Sequence, residues 1–288
     1  MKNMRRSLLF IPANSPAMLQ NADIFQSDGV IFDLEDAVML SEKDAAVHLL
    51  DNFLKSYAFE NLEIVIRINQ LDSEFSRVEL EQIVSDKIDT LMLPKATAKN
   101  TNALSKMLDK LEKSKKMNKK IGIIPIIELA SSVLEAKEIA SVNRVNGLLL
   151  GGEDLSTDLE VERTEDGLEL LLARGLVVLA AKAYKLDAID TPYTKTNDEE
   201  GLNKDSSYAK KIGMNAKVCI HPNQIDTVNT VFSPSIQEIE YARKVVKAEA
   251  DALSTGKGAF TVDGKMIDKP IIDRAKKLLD KAQRWGLL

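Results

Sequence analysis

Short apolar runs that end in polar or charged residues recur along the chain, and eight of them set its rhythm. They occupy residues 6–12, 29–35, 63–69, 90–95, 121–128, 145–152, 186–192 and 216–222. Each is nearly continuous in apolar character, as a parallel strand buried on both faces requires. Their starts are spaced by about 30 residues on average, the length of one strand–helix unit. Helical periodicity fills the gaps. Residues 15–27 carry Met18, Ala22 and Phe25 on one face, and residues 41–55 open with Ser41 as N-cap and Asp44 in the first turn. Residues 80–84, 104–111 and 170–181 continue the pattern, and the lysine-rich stretch 99–120 reads as the outer face of a surface helix.

Strand and helix alternating eight times predict an α/β fold, a (β/α)8 TIM barrel, over residues 1–234. A doubly wound open sheet normally shows a glycine-rich turn after its first strand. Here that turn reads Pro12-Ala13-Asn14-Ser15-Pro16. Residues 235–288 are expected to form a C-terminal helical extension, packed on the barrel or on a neighbouring subunit. It contains a helix over 235–254, turns at 256–258 and Asp263-Gly264, and a last helix over 270–285.

Composition narrows the chemistry. The 288 residues hold 39 Lys and Arg against 44 Asp and Glu, a net charge of −5, which argues against nucleic acid as the main partner. A single cysteine, Cys219, excludes an intramolecular disulfide and a cysteine-based zinc cluster. With only His48 and His221 besides, any metal must be held mainly by oxygen, which favours Mg²⁺, Mn²⁺ or Ca²⁺. No stretch reaches the 18 or so apolar residues of a membrane span. The apolar run 7–11 stops at Pro12, too short for a signal peptide. The expectation is a soluble cytoplasmic protein.

In a barrel, chemistry gathers at the carboxyl ends of the strands. Those ends carry Asp33, Glu35 and Asp36, then Arg67 and Asn69, Lys95, Glu128, Glu153 and Asp154, Asp190 and His221. Burying so many charges is costly unless they pair or bind a ligand. Glu128 and Asp154, on adjacent strands, suit a hard divalent cation that keeps several waters, Mg²⁺ in particular. Gly151-Gly152 implies a close backbone approach there. Arg67 is a fork for a substrate carboxylate or a barrel salt bridge. Lys95 is a Schiff-base nucleophile or a counter-ion. His48 reads as a surface residue in mid-helix, Cys219 as core, and His221 as either site or scaffold.

Several motifs in order carry a resemblance. Arg5-Arg6-Ser7-Leu8-Leu9-Phe10-Ile11-Pro12, Phe32-Asp33-Leu34-Glu35-Asp36, Val65-Ile66-Arg67-Ile68-Asn69, Leu93-Pro94-Lys95 and Gly151-Gly152-Glu153-Asp154-Leu155 resemble the citrate lyase β-chain family, within the aldolase/citrate lyase barrels. The similarity continues through residues 164–171, 220–225 and 263–270. The chain departs from it where many relatives place a glycine after Pro12. The resemblance implies a Mg²⁺-dependent carbon–carbon lyase acting on a thioester, with oxaloacetate and an acetyl thioester as products from a citryl group on an acyl-carrier subunit. It implies α and γ chains as partners and a homotrimer or a multiple of one. Carried over, Glu128 and Asp154 match the metal ligands. Arg67 matches the carboxylate binder, with Arg6, Lys95 and Glu128 also on the substrate. Asp268 matches a residue that reaches an adjacent subunit's site, and Glu35 or Asp36 is a candidate base. The alternatives are a free-standing malyl- or citramalyl-coenzyme A lyase or thioesterase, and a non-catalytic scaffold subunit.

Overall fold

Side-chain parity sorts the eight runs into a two-layered core. Strands β1 (Ser7–Pro12), β2 (Gly29–Asp33), β3 (Glu63–Arg67) and β4 (Thr90–Leu93) are followed by β5 (Gly122–Ile127), β6 (Gly147–Leu150), β7 (Asp187–Asp190) and β8 (Ala216–Cys219). They pair in parallel, in sequence order, and β8 closes on β1 through Leu8 opposite Val218. The structure is a computed structural model and describes residues 5–254 and 260–288. One parity points inward and packs the barrel with Leu8, Ile31, Val65, Met92, Ile124, Ile126, Leu149, Ile189, Ala216 and Val218. The other points outward, where Leu9, Ile11, Phe32, Ile66 and Cys219 meet the helices. Cys219 is therefore core, and burial pushes its thiol up to about 12. Strand β1 ends at Pro12 as expected, and β2 to β8 each end one to three residues before the apolar–polar boundary expected from sequence, where the polar residues turn over the barrel mouth.

The helices between strands are α1 (Pro16–Gln20), α2 (Lys43–Ser56), α3 (Ser76–Ile83), α4 (Ala98–Ser114), α5 (Ala130–Leu134) and α6 (Ala136–Ala140). Then come α7 (Gly152–Asp158), α8 (Leu168–Ala183), α9 (Glu199–Ile212) and α10 (Ile225–Phe232). Helix α1 is far shorter than the 15–27 segment. The Asn21 side chain donates to the Ala17 carbonyl at 2.8 Å, a local bond that competes with helix continuation. Ser41 does not cap α2: Leu40–Glu42 form a 3₁₀ turn and the helix begins at Lys43. Helix α4 carries the expected lysine-rich outer face and is closed by a capping box between Thr97 and Asn100.

Polar plugs close the floor and one flank of the barrel. At the amino-terminal floor, buried Arg5 donates to both Glu63 oxygens at 2.6 and 2.7 Å and to Asp187 at 2.9 Å. Burial would lower its pKa, but these carboxylates hold it above its ordinary value. Gly122 makes room for this plug, since a Cβ there would sit 2.0 Å from Asn146 Nδ2. On the flank, fully buried Arg174 and Lys217 hold Asp190 and Asp205 in a four-charge network with contacts of 2.6 to 3.0 Å.

The chain divides into two compact units, Met1–Phe232 and Ser233–Leu288. The second unit contains α11 (Ile236–Ser254), β9 (Phe260–Val262), β10 (Lys265–Ile267) and α12 (Lys269–Arg284). It is not wholly helical. Asp263 and Gly264 both take positive φ, 46° and 78°, and fold β9 onto β10 as a hairpin, the turn that an Asp-Gly pair favours. Ala242, Val245, Val262, Ile267 and Ala275 form its core. The turn expected at 256–258 lies outside the described residues.

Candidate active site

The parity that fills the barrel also decides which strand-end residues reach its mouth. Continuing the inward series upward from Phe10, Ile31, Val65, Ile126, Leu149, Ile189 and Val218 gives Pro12, Asp33, Arg67, Glu128, Gly151, Thr191 and Ile220. All seven line a cavity of about 440 Å³, together with Asp36, Glu153 and Asp154 from the loops above. Outward parity removes Asp190, which belongs to the flank network. Asn69 is spent on the Leu34 carbonyl and on Glu79.

Arg67 stands at the centre of the acidic side. Its Nε and Nη2 donate to the two Asp33 oxygens at 2.7 and 2.6 Å, and Nη1 lies 3.0 Å from Glu35 and 3.1 Å from Asp36. The guanidinium also sits over the Phe10 ring, 5.0 Å from its centroid. Burial would lower the Arg67 pKa, but its bond to Asp33 and the three carboxylates keep it above the ordinary value. The two-pronged grip expected for a substrate is thus made to Asp33. Only the Nη1 corner, facing Glu35 and the 72% exposed Asp36, opens to a ligand. Burial raises Glu35 to about 8 against the pull of Arg67, with the charges of Asp36 and Glu128 adding to the rise. Lys43, which sequence reasoning passed over, is buried and donates to the Leu34 and Glu35 carbonyls at 2.7 and 2.6 Å, fixing the loop that carries both acids.

Glu128 faces them across the mouth. It is 5% exposed. Burial lifts its pKa to about 7, the Lys95 N–H pulls it down, and the nearby charge of Asp154 pushes it further up. The Lys95 N–H donates to Glu128 Oε1 at 2.5 Å, and Lys95 takes φ 44°, a strained conformation for a residue with a side chain. The part of Lys95 here is played by its backbone; its side chain is not among the cavity-lining groups. Gly151 leaves space for the carboxylate, because a Cβ there would fall 2.6 Å from Glu128 Cβ and 2.7 Å from Oε2. The close approach read from the glycine pair is therefore to the protein's own carboxylate. Asp154 lies exposed in the first turn of α7. Among the described residues no cation pairs with Glu128 or Asp154.

Thr191 was missed by sequence reasoning. Its Oγ1 accepts the Gly152 N–H at 2.9 Å, pinning the first residue of the helix that carries Asp154. The only available signal was position: it follows Asp190 and so carries inward parity. Arg163 grips Glu153 at 2.6 Å and Glu169 at 3.0 Å beside it.

One expected site residue lies elsewhere. Arg6 precedes β1 at the opposite end of the barrel and forks onto Asp28 at 2.7 and 2.9 Å. Motif proximity had assigned it to the substrate, but a strand's first and last residues face opposite ends. Asp268 belongs to the second unit and caps α12, accepting the Ile271 N–H at 3.2 Å. His221 is exposed and its Nδ1 accepts the Asn223 N–H at 3.2 Å, and His48 is exposed on α2.

The residues present fit a divalent cation. A buried carboxylate aimed into a cavity beside a second, unpaired one is a donor set completed by a metal. No group of three or more His, Cys, Asp or Glu that could hold a metal occurs among the described residues.

A strand-end cavity lined by an arginine and two carboxylates, with a second acid of raised pKa held against that arginine, is the arrangement of a barrel enzyme. Residues 6–222 match the HpcH/HpaI aldolase/citrate lyase family, and the chain belongs to that family and is a lyase. It is 37% identical over 285 residues to citrate lyase subunit beta of Haemophilus influenzae, covering 97% of each chain. It is 34% identical over 279 residues to a (3S)-malyl-CoA thioesterase of Cereibacter sphaeroides, covering 96% of this chain and 94% of that one. The crystal structure of protein CitE from Mycobacterium tuberculosis in complex with magnesium, acetoacetate and coenzyme A superposes with a TM-score of 0.79 at 29% identity, covering 98% of this chain and 100% of that one.

Proposed function

We propose that this protein is the β subunit of a citrate lyase, a cytoplasmic Mg²⁺-dependent enzyme that cleaves a citryl thioester on an acyl-carrier subunit to oxaloacetate and an acetyl thioester. The observation that carries the reading is that buried Glu128 and exposed Asp154 line one cavity with Arg67. Glu128 and Asp154 would hold the Mg²⁺, which when bound would supply Lewis-acid stabilisation where negative charge develops on the hydroxyl oxygen. Arg67, braced by Asp33, turns its Nη1 corner to a substrate carboxylate that replaces Asp36, and so fixes the reacting bond. Glu35, with a pKa near 8, is matched to take the hydroxyl proton at neutral pH. The central carbon–carbon bond then breaks, its electron pair passing to the thioester as an enolate. Asp268, supplied by an adjacent copy in a trimer or a multiple of one, is proposed to protonate that enolate. The α and γ chains of the complex are the proposed partners.

Coenzyme A as the thioester carrier is the second reading, favoured by the malyl-CoA thioesterase relative and by the coenzyme A in the CitE complex. The metal assignment is tested by Asp154→Ala. The expected result is loss of both Mg²⁺ binding, read by calorimetry, and Mg²⁺-dependent turnover. Unchanged affinity for Mg²⁺ rejects it.

A further inference from the structure

Two arginines at the cavity are held in the same way. Arg67 gives its Nε to buried Asp33 at 2.7 Å and its Nη1 to Asp36, which is 72% exposed. Arg163, in the loop between α7 and α8, gives its Nε to buried Glu169 at 3.0 Å. Its Nη1 goes to Glu153, which is 51% exposed, at 2.6 Å. In each case a buried carboxylate braces the guanidinium and an exposed one covers its outer corner. Both covering acids, Asp36 and Glu153, line the cavity. Thr164 fastens the second brace by donating to the other Glu169 oxygen. Among the described residues nothing pairs with Nη2 of Arg163.

The second glycine of the Gly151-Gly152 pair opens the way to this corner. A Cβ on Gly152, which lines the cavity, would fall 2.7 Å from Arg163 Nη1 and 2.7 Å from Oγ1 of Thr191, another lining residue. Gly152 does not take positive φ, so what glycine supplies there is space. Charge points the same way. The carboxylates of Asp33, Asp36, Glu128, Glu153 and Asp154 line the cavity, against one lining cation, Arg67. A ligand with one carboxylate is met by the Nη1 corner of Arg67. A ligand with two finds no other cation among the lining side chains, and Arg163 stands directly behind Glu153. An ion pair with a half-exposed partner is weak, so a ligand carboxylate displaces Glu153 at small cost and meets a fork with two N–H groups.

We propose that Arg163 sets the choice of substrate, taking the second carboxylate of a dicarboxylate unit in place of Glu153, while Arg67 takes the first in place of Asp36. The proposal rests on the citryl reading above and deepens it. Oxaloacetate carries two carboxylates, whereas pyruvate, the acid that a citramalyl thioester releases, carries one. With pyruvate, Glu153 stays on Arg163 and the corner adds nothing to binding. With oxaloacetate the corner is used, and the difference between the two acids is the specificity that Arg163 supplies.

The test is calorimetric binding of oxaloacetate and of pyruvate to the full-length chain in the presence of Mg²⁺. Arg163→Met is expected to weaken oxaloacetate about tenfold or more and to leave pyruvate within about twofold. A general disturbance of α7 or of the metal weakens both acids alike, so the difference between them is the readout. Glu153→Gln removes the competing charge while keeping the size of the side chain. It is expected to tighten oxaloacetate and leave pyruvate unchanged, and it keeps the test open if Arg163→Met does not fold. Circular dichroism checks the fold of each variant. A folded Arg163→Met that loses both acids equally, or neither, overturns the proposal, as does a Glu153→Gln that binds oxaloacetate no better than the wild type. A wild type that binds pyruvate but not oxaloacetate overturns the citryl reading and this proposal with it, whereas the other outcomes leave that reading standing.

Discussion

Glu128 and Glu35 are carboxylic acids held near neutrality, at about 7 and about 8, against an ordinary 4.5. Between those limits the native chain keeps protons that the unfolded chain has released. Stability of the metal-free protein therefore falls as pH rises from about 5 to about 8, by roughly 1.4 kcal/mol per pH unit for each of the two acids that still keeps its proton. Urea titrations across that range check the sign. If Glu128 holds the Mg²⁺ as proposed, binding must displace its proton, so affinity should climb about tenfold per pH unit below about 7 and level off above it. A flat calorimetric profile contradicts this. Arg67→Lys keeps the charge but loses the grip on Asp33, and should weaken oxaloacetate binding about tenfold or more. Arg67, Glu128 and Asp154 were legible from sequence because polar residues that close apolar runs stand out. Asp190 and Arg6 stood out equally. The ends of a strand look alike in sequence until its inward parity and direction are fixed.

At the scale of elements, α7 is the piece whose placement matters most, since it carries Asp154. Its first N–H is tied to Thr191, and Gly151 before it leaves the Glu128 carboxylate its space. Thr191→Val removes the acceptor with little change of shape and should weaken Mg²⁺ binding about tenfold, while Thr191→Ser retains it. The same calorimetry reads both, and equal affinities for the two variants refute the tie. The flank network sets the strand–helix frame behind Thr191. Lys217→Met leaves Asp190 and Asp205 short of a partner in a buried setting and should cost about 3–5 kcal/mol of stability, visible in the urea midpoint. Eight strands were readable because each is a buried apolar run. The β9–β10 hairpin was not, because its strands are only three residues each. Its Asp263-Gly264 turn was nonetheless the available signal.

The whole molecule follows a division of labour that the expected barrel and extension anticipate in outline. Apolar parity fills the barrel, a buried arginine plugs its floor, and the same inward series delivers Pro12, Asp33, Arg67, Glu128, Gly151 and Thr191 to one cavity. Long-range partners such as Arg5 with Asp187 or Arg174 with Asp190 had no trace in any local pattern. The first is set by which strand ends meet at the floor of the closed barrel, the second by how α8 packs on β7. The central claim is a Mg²⁺-dependent carbon–carbon cleavage of a carrier-bound citryl group. The most direct measurement is release of oxaloacetate from citryl-carrier protein and of pyruvate from citramalyl-coenzyme A, each with Mg²⁺ and with a chelator. Rapid release from the citryl carrier that stops with the chelator is the predicted result. Release that is indifferent to Mg²⁺, or absent from the citryl carrier altogether, would contradict it.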